Sequence, residues 1–223
     1  MDRIPEPELM DAADQAAAYA AADFSESNSL FVDLLHEKFP DHSPRTLVDL
    51  GCGPGDILVR LARAFPHARL TGVDGSAAML EHARKAILAA GAAGQVELLH
   101  LRLQDLELAG VYDTIVSNSL LHHLENPGLL WRRIGELGRP GAVVLVMDLV
   151  RPATESAARE LVQRYAHGEP EILRRDFHHS LLASFQPDEI RRQLSQAGLS
   201  GFAVELVSDR HVAIYGQIPQ ENP

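Results

Sequence analysis

The sequence predicts an α/β fold built on a doubly wound, mostly parallel sheet, and three features carry that expectation. Short apolar runs alternate with helical patterns from Thr46 to Val150. A glycine turn, LVDLGCGPGD (residues 47–56), joins the first run to the first of those helices. The chain then finishes in two β-rich runs that read as an antiparallel hairpin. Strands separated by helices call for parallel pairing, because each crossover needs a helix to bring the chain back to the same edge.

The elements follow in order. DAADQAAAYAAADF is rich in the strongest helix former, and SNSLFVDLLHEKF continues the helical preface after a short break. TLVDL is a short buried strand, and in DILVRLARAF the residues Leu58, Leu61, Ala62 and Phe65 fall on one apolar stripe. ARLTGVD is the second strand. SAAMLEHARKAILAA is the next helix, with Ser76 as N-cap and Gly91 as its C-terminal stop. QVELLHL and DTIVSN are strands, NPGLLWRRIGEL a helix and AVVLVMDLV a strand. Helical material fills about 153–183, and another helix opens at Pro187, a residue suited to the first helical position. GFAVELVSDRHVAIYGQI supplies the hairpin, turning at Asp209-Arg210. No linker is long enough to divide the chain, so one domain is expected over 1–223.

Composition narrows the function classes. Forty-six per cent apolar residues suits a soluble globular domain. No apolar run approaches the ~20 residues needed to span a bilayer, and the acidic, Pro-containing N-terminus does not read as a signal peptide. A cytoplasmic location is therefore expected, with no membrane partner. Cys52 is the single cysteine, so there is no internal disulfide and no multi-cysteine metal site. With 31 acids against 20 Lys plus Arg, the net charge of −11 argues against a nucleic-acid partner. The Arg pairs at 174–175 and 191–192 lie among as many acids and read as solvated helix faces.

The glycine turn is the most informative stretch. Glycines between a strand and a helix allow tight dihedrals and close approach of a ligand. A phosphate loop would end in Gly-Lys-Ser/Thr, and the turn contains no lysine. In a dinucleotide fingerprint the third glycine would come one residue later, and here Asp56 would repel a pyrophosphate at the helix N-terminus. A ligand with a cationic head and a nucleoside body fits better. Asp74, at the end of the second strand, stands where an acid accepts hydrogen bonds from both ribose hydroxyls.

Taken together, VDLGCGPGD, LTGVDGSAAML and YDTIVSNSLLHHL resemble the class I S-adenosylmethionine-dependent methyltransferases, closely over about 45–150. The resemblance implies a Rossmann-like, seven-stranded sheet with an N-terminal helical lid, and S-adenosylmethionine as cofactor. It divides the chain into a lid (1–44), a cofactor-binding core (45–150), a helical acceptor cap (151–186) and a final helix with hairpin (187–223). It places Asp49, Gly51 and Gly53, with Cys52 between them, at the methionine end. Asp74 falls on the ribose, Gly75 and Met79 beside the adenine, and Asn118 near the sulfonium and amino-acid head, with His123 close by. In one departure, Arg102 stands where the family usually has an acid for the adenine amino group, so main-chain contacts at Arg102 and Leu103 are expected instead.

The acceptor side carries weaker signals. In-line transfer needs an acceptor lone pair about 3 Å from the methyl group, and an oxygen or nitrogen acceptor can need a base. His178 and His179 come from the cap, and Tyr19 and Asp23 from the lid. Asp148 ends the fifth strand with Arg151 close behind, either as a charged pair for a polar acceptor or as a loop salt bridge. His122 and His123 have either a titrating or a cofactor-shaping role. No metal is expected, because adjacent residues on a helix do not share a face. The expected activity is methylation of a small molecule at oxygen, nitrogen or sulfur. RNA methylation, a binding module without transfer, and transfer of a modified group are the alternatives. A homodimer is compatible with the sequence.

Overall fold

In the computed structural model of the chain, which describes residues 1–6, 12–106 and 111–220, seven strands form one sheet in the order β3-β2-β1-β4-β5-β7-β6. Strands β1 (Thr46–Leu50), β2 (Arg69–Asp74), β3 (Val96–His100), β4 (Tyr112–Asn118) and β5 (Gly138–Leu149) run parallel. β7 (His211–Gln217) pairs antiparallel with both β5 and β6 (Ala203–Leu206). The predicted fold class is the observed one. Strand order reverses between β1 and β4, which opens a crevice at their carboxyl ends.

Helices cover both faces because the strands alternate their apolar side chains. Leu47, Val116, Val143 and Leu145 pack against α2 (Ser25–Lys38), α3 (Asp56–Ala64) and α4 (Ala77–Ala89). Val48, Leu50, Ile115, Val144 and Val146 meet α5 (Gly128–Leu137) and α8 (Pro187–Gln196). Trp131 of α5 is buried and its indole N–H donates to Gln193 of α8 at 2.9 Å, which fastens those two helices together. Leu58, Leu61 and Ala62 are buried as their stripe requires, and Phe65 caps the helix. The Ser76 hydroxyl accepts from the Met79 N–H, and Gly91 takes a left-handed φ of 71° just beyond α4.

One expectation gains detail and one changes. The helical material after β5 is two helices, α6 (Glu155–Tyr165) and α7 (Glu171–Ala183), because Gly168 and Pro170 interrupt it. β5 starts earlier than its apolar run, at Gly138, with an irregular register against Tyr112 and Thr114. α6 and α7 carry a small core of their own around Leu149, Ala158, Val162 and Leu181. α1 (Ala13–Ala21) packs on both α4 and α7; Asp11, the first residue of the helix expected there, lies outside the described residues. Among the described residues no helix is long and apolar enough to cross a membrane.

Candidate active site

The glycine turn wraps the crevice between β1 and β4. Gly51, Gly53 and Gly55 adopt φ of 73°, 52° and 86°, a region open to glycine at little cost. A Cβ on Gly51 would come within 2.9 Å of the Leu120 side chain, and one on Gly55 within 3.0 Å of Ala83. Around Gly53 no atom lies within 4 Å of the Cβ position, so its flank is open space in the cleft it lines. The turn also holds Asp74: its carboxylate accepts the Gly53 N–H and the Ser76 N–H, each at 2.8 Å.

Two buried acceptors in this cleft lack donors. Asp49 is 1% exposed, and neither of its carboxylate oxygens has a hydrogen-bond partner among the described residues; the same holds for Asn118 Oδ1. Burial, with Asp74 nearby, pushes the Asp49 carboxyl up to about 8. A buried acceptor without a partner costs about 1–3 kcal/mol, and a cationic, hydrogen-bond-donating ligand would remove that cost. Asp56 is otherwise engaged, accepting from Arg60 and from Asn28 of α2. Cys52 is buried in the same wall, and burial raises its thiol well above the usual range, so it is no nucleophile.

Beyond the cleft lies a cavity of about 730 Å³, within the range of small-molecule sites. The two share Tyr19, Asn118, Ser119 and His123 as common walls. α1, α6 and α7 roof the cavity, and the start of β7 closes it with His211. Burial, then Arg210, lowers His211 to about 4, so the ring is neutral; its Nδ1 meets Ser208 Oγ at 2.9 Å.

A family model described as a methyltransferase domain matches residues 48–144. An uncharacterised methyltransferase of Mycobacterium tuberculosis is 28% identical over 167 residues, 74% of this chain and 82% of that protein. Trans-aconitate 2-methyltransferase of Deinococcus radiodurans is 36% identical over 126 residues, 55% of this chain and 45% of that enzyme, so the match spans about half of that relative. The crystal structure of a SAM-dependent methyltransferase from Aquifex aeolicus shares the fold, with a TM-score of 0.68 at 18% identity over 92% of this chain and 98% of the other. The family model, the methyltransferase relatives and the structures sharing the fold together support a class I S-adenosylmethionine-dependent methyltransferase. Its cofactor is S-adenosylmethionine, and the donor-less acceptors at Asp49 and Asn118 fit that molecule's cationic head.

In this methyltransferase every residue expected at the cofactor lines the one cleft: Asp49, Gly51, Cys52, Gly53, Asp74, Gly75, Met79, Arg102, Leu103, Asn118 and His123. Asp105 does not line it, in keeping with the missing adenine acid. The Arg102 and Leu103 carbonyls already accept from the Asp105 N–H and from Arg133.

The acceptor-side expectations divide. Tyr19 lines both cleft and cavity, and burial pushes its hydroxyl up to about 12, so at neutral pH it stays protonated and offers a hydrogen bond rather than a base. His179 lines the cavity. His178 does not; neighbouring residues on a helix point about 100° apart, and its Nε2 is buried without a hydrogen-bond partner, within electrostatic reach of Glu155 and Arg159 of α6. Asp148 also stands outside the lining, and the Asp148–Arg151 pair does not form. Asp148 instead holds His122, Oδ1 to Nδ1 at 2.5 Å, while Arg151 binds Glu189 at 2.9 Å and the Met1 and Ser184 carbonyls.

Three wall residues escaped the sequence reading. Ser119 holds a left-handed φ of 57° where the two spaces meet, the one such non-glycine among the described residues. His211 sits within a β-run and carries no positional signal. Glu6 arrives from the N-terminal segment beside His122 and His123. Burial pushes the Glu6 carboxyl up. Burial pulls His122 down, but Asp148 and then Glu6 outweigh it, and its pKa ends raised.

Proposed function

We propose that the enzyme methylates an oxygen, nitrogen or sulfur atom of a small-molecule acceptor seated in the 730 Å³ cavity. The carrying observation is the wall of Tyr19, Asn118, Ser119 and His123 that this cavity shares with the cofactor cleft. When bound, S-adenosylmethionine supplies an electrophilic methyl group on a sulfonium. The chain's own residues do the rest. Asp49 and Asn118 take the cationic head, Asp74 the ribose, and Gly75, Met79, Arg102 and Leu103 the adenine. The Tyr19 hydroxyl and His179 orient the acceptor. Residues 1–44 and 151–186 act as lid and cap within one domain, keeping water from the reacting atoms.

The net charge of −11 supports a small acceptor over RNA. The Deinococcus relative's name identifies a carboxylate acceptor, which makes polycarboxylates one class to try beside amines, phenols and thiols. The test is to follow S-adenosylhomocysteine formation with panels of each class and with tRNA and ribosomal RNA. Product formation dependent on one small-molecule class is expected; product formed on RNA alone would contradict the reading.

A further inference from the structure

Three side chains meet on the inner wall of the acceptor cavity, and a fourth, Asp148, stands behind them. Glu6 comes from the N-terminal segment, His122 and His123 from the 3-10 turn after β4, and Asp148 from the end of β5. Glu6 Oε1 lies 3.4 Å from His122 Nε2 and 3.2 Å from His123 Nδ1, and all three ligand atoms fall within 4.8 Å of one another. The three side chains are 9%, 3% and 14% exposed.

Hydrogen-bond chemistry decides what must stand between them. Asp148 accepts the backbone N–H groups of His122 and Leu149, so its carboxylate is an acceptor and the His122 Nδ1 beside it carries the ring proton. In the neutral ring Nε2 then presents a lone pair to a carboxylate oxygen of Glu6. Two acceptors do not bond to each other, so a cation belongs between them: a proton, which Asp148 and Glu6 both favour on the ring, or a metal ion. A shared proton would draw such a pair to about 2.7–2.9 Å. Metal bonds of about 2.0–2.2 Å instead set neighbouring ligand atoms about 3.0–3.5 Å apart, and both Glu6 distances fall there.

We propose that Glu6, His122 and His123 bind one divalent transition-metal ion of the zinc, cobalt or iron(II) kind, with Asp148 orienting His122 from behind. Two imidazoles and a carboxylate suit those ions, whereas magnesium and calcium prefer oxygen alone. In many metal sites a carboxylate accepts the other ring N–H of a ligating histidine and so fixes its tautomer and orientation. Glu6 is not on a loose tail. Arg3 donates to the carbonyls of Ala183, His122 and Leu124 and stacks over Phe185 at 4.2 Å, the Ile4 N–H bonds Leu182 O, and Ser180 donates to Glu6. Sequence spacing argued against this site, because adjacent histidines do not share a helix face. Here they lie in a 3-10 turn with rings 4.3 Å apart, and the third ligand is remote in sequence. The remaining coordination positions face the cavity and would take a hydroxyl or carboxylate oxygen. That role rests on the acceptor-cavity reading; metal binding itself does not.

The experiment uses the full chain, stripped with a chelator and titrated with cobalt(II) by visible absorption and with zinc(II) by calorimetry. S-adenosylhomocysteine binding is measured on the same sample. One equivalent with the bands of a nitrogen–oxygen site is expected. Glu6→Gln, on a peripheral segment, should weaken the metal at least tenfold and leave S-adenosylhomocysteine binding unchanged. Asp148→Asn should weaken it less. Absent binding, or equal binding in Glu6→Gln, would overturn the site. So would a His122 imidazolium signal in NMR that zinc leaves unmoved. Intact S-adenosylhomocysteine binding in those cases would leave the methyltransferase reading standing.

Discussion

At Asp49 the sheet buries a carboxylate that no group among the described residues satisfies, and burial holds its pKa at about 8 against an ordinary 3.8. Two consequences have definite signs. Between about pH 4 and pH 8 the unfolded chain ionises this group and the folded chain does not, so the unfolded state binds fewer protons. Its contribution to stability is therefore undiminished below pH 4, declines through that window, and is lowest above pH 8. A cationic ligand favours the ionised form, so binding should release a proton below pH 8, and affinity for S-adenosylmethionine should rise from pH 6 to pH 8. Calorimetry in buffers of different ionisation enthalpy measures that proton. Asp49→Asn should flatten the pH dependence, and a flat profile in the unaltered protein would contradict the assignment.

At the scale of elements, the turn between β1 and α3 separates strain from space. Gly55→Ala meets a left-handed φ and a 3.0 Å contact with Ala83, so it should cost more than the roughly 1–2 kcal/mol of the dihedral alone. Gly53→Ala meets only the dihedral, and its methyl projects into the cleft. It should keep most of the stability and lose cofactor affinity. Thermal melts paired with ligand titrations distinguish the two; equal stability losses would remove the packing argument. The same turn shows what was legible from the chain. Strand and helix periods, glycine spacing and the acid at Asp74 are local patterns, and they located the strands, the helices and the residues that line one cleft. The break at Gly168–Pro170, the partner of Asp148 and the arrival of Glu6 depend on which distant surfaces meet. Periodicity reports which face is buried, not against what. His178 and His179 illustrate the limit: adjacent residues of one motif, only one of which reaches the cavity.

For the molecule as a whole, Arg151 ties three regions together. It is 6% exposed and joins the N-terminal Met1, the end of α7 at Ser184 and Glu189 of α8. Removing one partner of a buried ion pair costs about 3–5 kcal/mol; with Glu189 partly solvated, Arg151→Ala should cost about 2–3 kcal/mol, read by urea unfolding. A change below half a kcal/mol would mean that these regions hold without it. The strands, the glycine turn and the lid converge on the crevice between β1 and β4, the proposed cofactor site. Calorimetric titration of the unaltered protein and of Asp74→Ala with S-adenosylmethionine and S-adenosylhomocysteine tests it most directly. Single-site binding of both ligands is expected, weakened in the variant by about 1.5–3 kcal/mol, the scale of a hydrogen bond to a charged group. No binding to the unaltered protein, or equal affinity in the variant, would contradict it.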